Sequence, residues 1–167
     1  PAQGSRRFDT GLDRQAEGAR VTLVPSDPRF TAAVETSAKA QRGKIEHLAI
    51  ARIVPTSASL GRLYARASGP IAAAMRWRLV GAGDLTIASQ TLLPAQALPG
   101  LDRQRESVWE LVLNRPTNQP ITLEAAWETS PSAAESLPLF SFPEAASQMG
   151  MVRVEAGPGV LLRLETT

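Results

Sequence analysis

The sequence predicts an all-β, immunoglobulin-like sandwich of about ten short, mainly antiparallel strands. Three observations lead there. Short apolar or alternating runs recur about every 8–15 residues, separated by clusters of Pro, Gly, Ser and Asp. No stretch carries an amphipathic helix long enough to cover a parallel sheet. The chain has 167 residues, 43% hydrophobic and 20% charged, enough to bury a core without disulfides or metals.

The elements follow in order. Residues 1–19 are polar, with Phe8 and Leu12 isolated, and read as a flexible N-terminal arm; residues 20–167 form one domain. Residues 21–24 make a short strand stopped by Pro25-Ser26-Asp27-Pro28. Phe30, Ala32, Val34 and Thr36 alternate with Thr31, Ala33 and Glu35. A turn at 40–43 leads to a long strand at 44–54, and 55–61 is a loop. Residues 63–67 pass through Ser68-Gly69-Pro70 into a strand at 71–80. There Ile71, Ala73, Met75, Trp77 and Leu79 share one face, and Arg76 and Arg78 the other.

Gly81-Ala82-Gly83-Asp84 is a turn before a strand at 85–89, and 92–106 is a longer connection. Strands at 108–113 and 121–128 are joined by 114–120. In the second, Ile121, Leu123, Ala125 and Trp127 point inward. Residues 137–142, with Pro138 inside, suit an edge strand. A helical turn is expected near 143–148, and a final hairpin pairs 151–155 with 160–165 across 156–159.

Composition removes several chemistries. There is no Cys, so disulfides, thiolate metal sites and cysteine nucleophiles are excluded. The single histidine, His47, cannot form a multi-histidine metal site. On period two it groups with Ile45, Ala49, Ala51 and Ile53 and reads as a half-buried structural histidine. Gly-x-Ser-x-Gly is absent, and Gly81-Ala82-Gly83 lacks the further residues of a phosphate loop. The pI near 9.7 accompanies a net charge of only +2. It reflects an Arg surplus with few groups titrating near neutrality, not a field suited to nucleic acid. No apolar run is long enough to span a bilayer, and no secretion signal is visible in the sequence as it stands. No cofactor is implied.

Two constellations remain as candidate sites. Arg62, Tyr64 and Arg66 share one strand face, and Arg76 and Arg78 share another. If these strands pair through the turn at 68–70, four arginines and a tyrosine form one patch for an acidic glycan or a phosphate backbone. The bland alternative is solubility and protection of a sheet face. Glu110, Glu124 and Glu128, on strands expected to be adjacent, are the best carboxylate pairing for a hydrolase; a solvated sheet face explains them as well. Trp77, Trp109 and Trp127 occupy inward positions and read as core anchors, leaving Tyr64 as the better sugar-stacking ring.

The segments Ser107-Val108-Trp109-Glu110-Leu111-Val112-Leu113, Pro120-Ile121-Thr122-Leu123-Glu124-Ala125-Ala126-Trp127, Leu137-Pro138-Leu139 and Gly150-Met151-Val152-Arg153-Val154 resemble a module of very large, uncharacterised bacterial cell-envelope proteins rich in β-sandwich domains. The resemblance covers about 107–156 and brings no catalytic residue. It implies an extracellular, periplasmic or envelope location and a structural or adhesive role. The expected function is a non-enzymatic structural or interaction module of an exported or envelope-anchored protein. Its partners would be neighbouring domains of a longer chain or a cell-surface polymer. A carbohydrate-binding module and a hydrolase with an unrecognised carboxylate pair are the alternatives.

Overall fold

The computed structural model describes residues 29–69, 71, 75–93, 106–130 and 137–161. The expected arm at 1–19 and the strand at 21–24 lie outside them. The described chain is all-β, with nine strands in two packed sheets, as the alternating runs predict.

The first sheet begins with a long hairpin. β1 (Phe30–Gln41) and β2 (Lys44–Pro55) pair in register from Phe30↔Pro55 to Gln41↔Lys44. The two-residue link carries its positive φ on Gly43 at 90°, where a type II turn needs a residue without a Cβ. β2 then pairs with β7 (Ile121–Thr129), and β7 with β4 (Trp77–Val80). On the far side of β1 lies β9 (Ala145–Ala156), in the one parallel pairing among the described strands. The order is β4-β7-β2-β1-β9.

The second sheet has the order β5-β6-β3-β8. It comprises β3 (Leu60–Ala67), β5 (Ile87–Leu92), β6 (Ser107–Thr117) and β8 (Phe140–Ser141).

Period-two alternation sets what each sheet buries. The inner face of the first is notably small: Ala32, Ala38, Ala40, Ala49, Ala51 and Ala125 are buried there beside Val34, Ile53 and Leu123. The second supplies bulk in return, with Leu60, Leu63, Trp109, Leu111 and Leu113. Small facing large is how two layers reach interior density without voids.

The gap that alanines leave is also filled by rings. Phe140 stands edge-on to Trp77 at 5.2 Å and to Trp127 at 5.6 Å. Phe142 meets Trp77 at 6.3 Å and Phe30 at 6.4 Å. His47 stacks on Trp127 at 4.9 Å with planes 3° apart, and its Nε2 is 2.8 Å from Thr129 Oγ1. All three tryptophans are buried, as their inward positions predict, and His47, expected to be half-buried, is buried as well.

Each side of the sandwich is bridged by a glutamine. On one, the Gln90 carboxamide of β5 accepts from Trp77 N at 2.9 Å and donates to Trp77 O at 3.4 Å. On the other, Gln148 of β9 accepts from Phe142 N at 2.8 Å and donates to Phe140 O at 3.2 Å. A primary amide offers the same donor and acceptor as a peptide group, so each stands in for a missing strand.

Several sequence expectations need correction. Of the strand expected at 71–80, β4 does not pair with 63–67: the chain crosses between sheets, so β4 joins β7 while β3 joins β6 and β8. Both arrangements show the same alternation, which says which face is inward but not which sheet a strand enters. The strand expected at 85–89 starts later, at Ile87, after a turn closed by Leu85 N donating to Ala82 O at 3.1 Å. β6 outruns 108–113: Asn114 N donates to Thr86 O and its side chain accepts from Thr86 N, and Thr117 at the far end pairs with Leu60 of β3.

The helical turn expected at 143–148 is a single β-turn. Ala145 N donates to Phe142 O, with Pro143 at its favoured position, and β9 begins at once. The C-terminal hairpin is not formed by the described residues. Residues 151–155 belong to β9, while Val160 and Leu161 lie outside any strand. Residues 162–165 lie outside the described part.

Two outcomes follow for the core. Trp127→Ala removes a ring touching both His47 and Phe140 and costs about 3–5 kcal/mol, read as a lowered urea midpoint; an unchanged midpoint would show that the ring carries no core packing. Gln90→Ala leaves the Trp77 amide without its partner and costs about 1–3 kcal/mol. Hydrogen exchange at Trp77 should quicken before exchange in β2 does.

Candidate functional site

Three of the expected ligand-binding residues stand together on the outer face of the second sheet. Leu63, Ala65 and Ala67 are fully buried, so Arg62, Tyr64 and Arg66 project outward. Opposite them on β6 are Val112, Glu110 and Val108. The Tyr64 hydroxyl donates to Glu110 Oε1 at 3.2 Å. Arg62 lies 3.5 Å from the same oxygen, with its guanidinium carbon 5.5 Å from the centre of the Tyr64 ring. Arg66 is ion-paired to Glu106.

A further group was not singled out from sequence. β8 has two residues and faces only Arg66 and Ala67, so it ends before Tyr64. The Tyr64 amide donates instead to Glu144 Oε2 at 3.2 Å. Glu144 comes from the turn before β9, 80 residues along the chain, a separation at which no local pattern shows the contact. Desolvation raises its pKa above the usual carboxylate range, opposed by the Tyr64 amide and the Arg62 charge. Burial likewise raises the Tyr64 phenol, with Arg62 opposing and Glu110 reinforcing.

Arg76 and Arg78 do not join this cluster. They precede and enter β4, at the edge of the other sheet. Arg78 is ion-paired to Glu124 on the outer face of that sheet, and Arg76 Nη1 donates to Met75 O at 2.9 Å. The expected five-residue patch is thus divided between opposite outer faces of the sandwich. The half containing Tyr64 is not basic: Arg62 and Arg66 stand among Glu106, Glu110 and Glu144.

The carboxylate constellation divides in the same way. Glu110 lies in the second sheet, while Glu124 and Glu128 lie in the first, where Glu128 accepts from Lys44 at 3.0 Å. Glu46 lies 2.6 Å from the same ammonium. These two partners raise the Lys44 pKa, and Lys44 lowers that of Glu46. β6 and β7 are consecutive in sequence but in different sheets, so their expected adjacency does not occur. Among the described residues no group of three His, Asp or Glu side chains could hold a metal ion.

Each side of the sandwich holds an open cleft. The one beside the Tyr64 cluster has a volume of about 380 Å³ and runs between β1/β9 and β3/β8. Arg66, Glu106, Ser68 and Ser141 supply its polar lining, and Val34 and Phe140 part of its apolar lining. The other, about 430 Å³, lies along β4 and the approach to β5.

Among the described residues no helix is long and apolar enough to cross a membrane. No family model, curated protein or solved structure matches the chain.

The Glu144 shift sets a pH dependence. Its folded pKa lies above its unfolded value, so the folded state takes up the proton first as pH falls. The stabilisation linked to this proton is complete below the unfolded pKa and disappears as pH rises through the folded one. Glu144→Gln keeps an oxygen for the Tyr64 amide and removes the charge. The variant should therefore be at least as stable as wild type at neutral pH, and wild type should gain on it as the pH is lowered towards 4. Chemical denaturation of both proteins across that range checks this. A wild type that loses ground on acidification would mean that Arg62 and the Tyr64 amide outweigh desolvation.

Proposed function

We propose that this chain is a non-enzymatic structural or interaction module, an immunoglobulin-like sandwich within a bacterial protein that is exported or anchored in the cell envelope. The observation that supports this most is where its distinctive side chains are used. The tryptophans and His47 are in the core. Arg62, Arg66 and Arg78 are each paired with a carboxylate of the same sheet face. Glu110 and Glu124, the best candidates for a carboxylate pair, serve as the counter-ions. Paired outer faces on an alanine-lined core suit spacing, scaffolding and contact with neighbouring domains or a surface polymer. The envelope location rests on the resemblance of 107–156 to modules of large envelope proteins.

Fractionation of the source cells, followed with an antibody to the chain, tests the location. Recovery in the envelope, the periplasm or the medium is expected, and recovery in the cytoplasm alone overturns it. Calorimetry against soluble polysaccharides, with wild type and Tyr64→Ala, tests the role of the outer face. Binding lost in Tyr64→Ala while stability stays within about 0.5 kcal/mol would replace the scaffold reading with carbohydrate binding.

A further inference from the structure

β9 is a twelve-residue strand at the border of the first sheet. One edge pairs with β1, and among the described residues no strand pairs with the other. Its edge protections are few: residues 145–156 contain no Pro and no Lys, the one register shift lies at Ala146 near its start, the two charged residues are the opposite-signed Arg153 and Glu155, and the register against β1 runs unbroken from Ser147 to Ala156. Nearly every residue is exposed, including Met149 at 71%, Met151 at 55% and Val152 at 49%. Such an edge is a template for a further strand.

The backbone says which groups it offers. Gly157 N donates to Ala40 O at 2.7 Å, so the residue just past β9 turns its peptide towards β1. Peptide direction alternates along a strand. The residues directing N–H and C=O to the open edge are therefore Gln148, Gly150, Val152, Val154 and Ala156. This set is symmetric about Val152.

We infer that β9 pairs antiparallel with β9 of a second copy, about a two-fold axis through Val152. That register uses the whole open ladder: Gln148 faces the second copy's Ala156, Gly150 faces Val154, and Val152 faces itself. On the outer face Met151 lies against the stem of Arg153, and Met149 against Glu155, so no like charges are directly opposed. Arg153 already has Glu35 of its own chain at 3.5 Å. A net charge of +2 offers little long-range repulsion between copies. The result is a continuous sheet of two five-stranded halves, closed by symmetry so that pairing stops at two. An edge contact of this kind belongs to the smaller, weaker interfaces, so association depends on concentration. It is independent of the proposed function.

The cysteine-free sequence permits a direct test. In the proposed register the two Val152 Cα atoms lie about 5.5 Å apart, within disulfide reach of about 4.4–6.8 Å. Each Met149 faces residue 155 of the other copy, so the two Met149 positions are about 20 Å apart. Under mild oxidation Val152→Cys should cross-link at least about tenfold faster than Met149→Cys, although Met149 is the more exposed. In sedimentation experiments wild type should shift from monomer to dimer with concentration. Met151→Lys, which opposes Arg153 across the axis, should weaken the dimer about tenfold or more while leaving the circular dichroism spectrum unchanged. A chain that stays monomeric at every concentration, equal cross-linking at the two cysteines, or a dimer indifferent to Met151→Lys overturns the proposal.

Discussion

The contact on which the rest of this structure depends is the ring cluster of Trp77, Trp127, Phe30, Phe140 and Phe142. It draws residues from both sheets and from the segment around β8. Six alanines on the inner face of the first sheet bury little area each, so that layer supplies a modest hydrophobic driving force. The rings provide the missing volume. Edge-on packing adds a directional term that plain burial lacks. Phe140 touches both Trp77 and Trp127, and so fixes β4 and β7 against the second sheet at once.

Because those rings arrive on a short segment, the second sheet ends early. β8 pairs with only two residues of β3, and the backbone beyond it needs other partners. Glu144 takes the Tyr64 amide, and Gln148 takes Phe142 N and Phe140 O. On the opposite side Gln90 serves Trp77 in the same manner. The sandwich is therefore bridged at its sides by side-chain amides and a carboxylate, not by full strands. This leaves shallow clefts at both sides and places β9 beyond the cover of the second sheet.

The same architecture shapes the surface chemistry. Crossing from one sheet to the other between Ala67 and Trp77 sends Arg76 and Arg78 away from Arg62 and Arg66. Each outer face then carries both signs of charge, and exposed pairs of this kind contribute little to stability. Their effect is to leave neither face with a strong field. The Tyr64–Glu110–Glu144 group, with Tyr64 and Glu110 half-buried, is the exception, since desolvation there opposes the ionisation of Tyr64 and Glu144.

The all-β class, the inward set Ile121, Leu123, Ala125 and Trp127, the structural place of His47 in its strand and the edge position of the segment around Pro138 were legible in the sequence. Each rests on period-two alternation or on proline chemistry, which are local properties of the chain. Local pattern also showed that Arg62, Tyr64 and Arg66 share a face. Tertiary structure alone decided which sheet each strand joins. It placed β4 beside β7, separated Glu110 from Glu124, made residues 145–150 a strand despite their alanines, and brought Glu144 to Tyr64. Those outcomes turn on pairing between segments far apart in sequence. Alternation is identical whichever neighbour a strand takes, and the choice is made by ring packing and by backbone groups that must find partners.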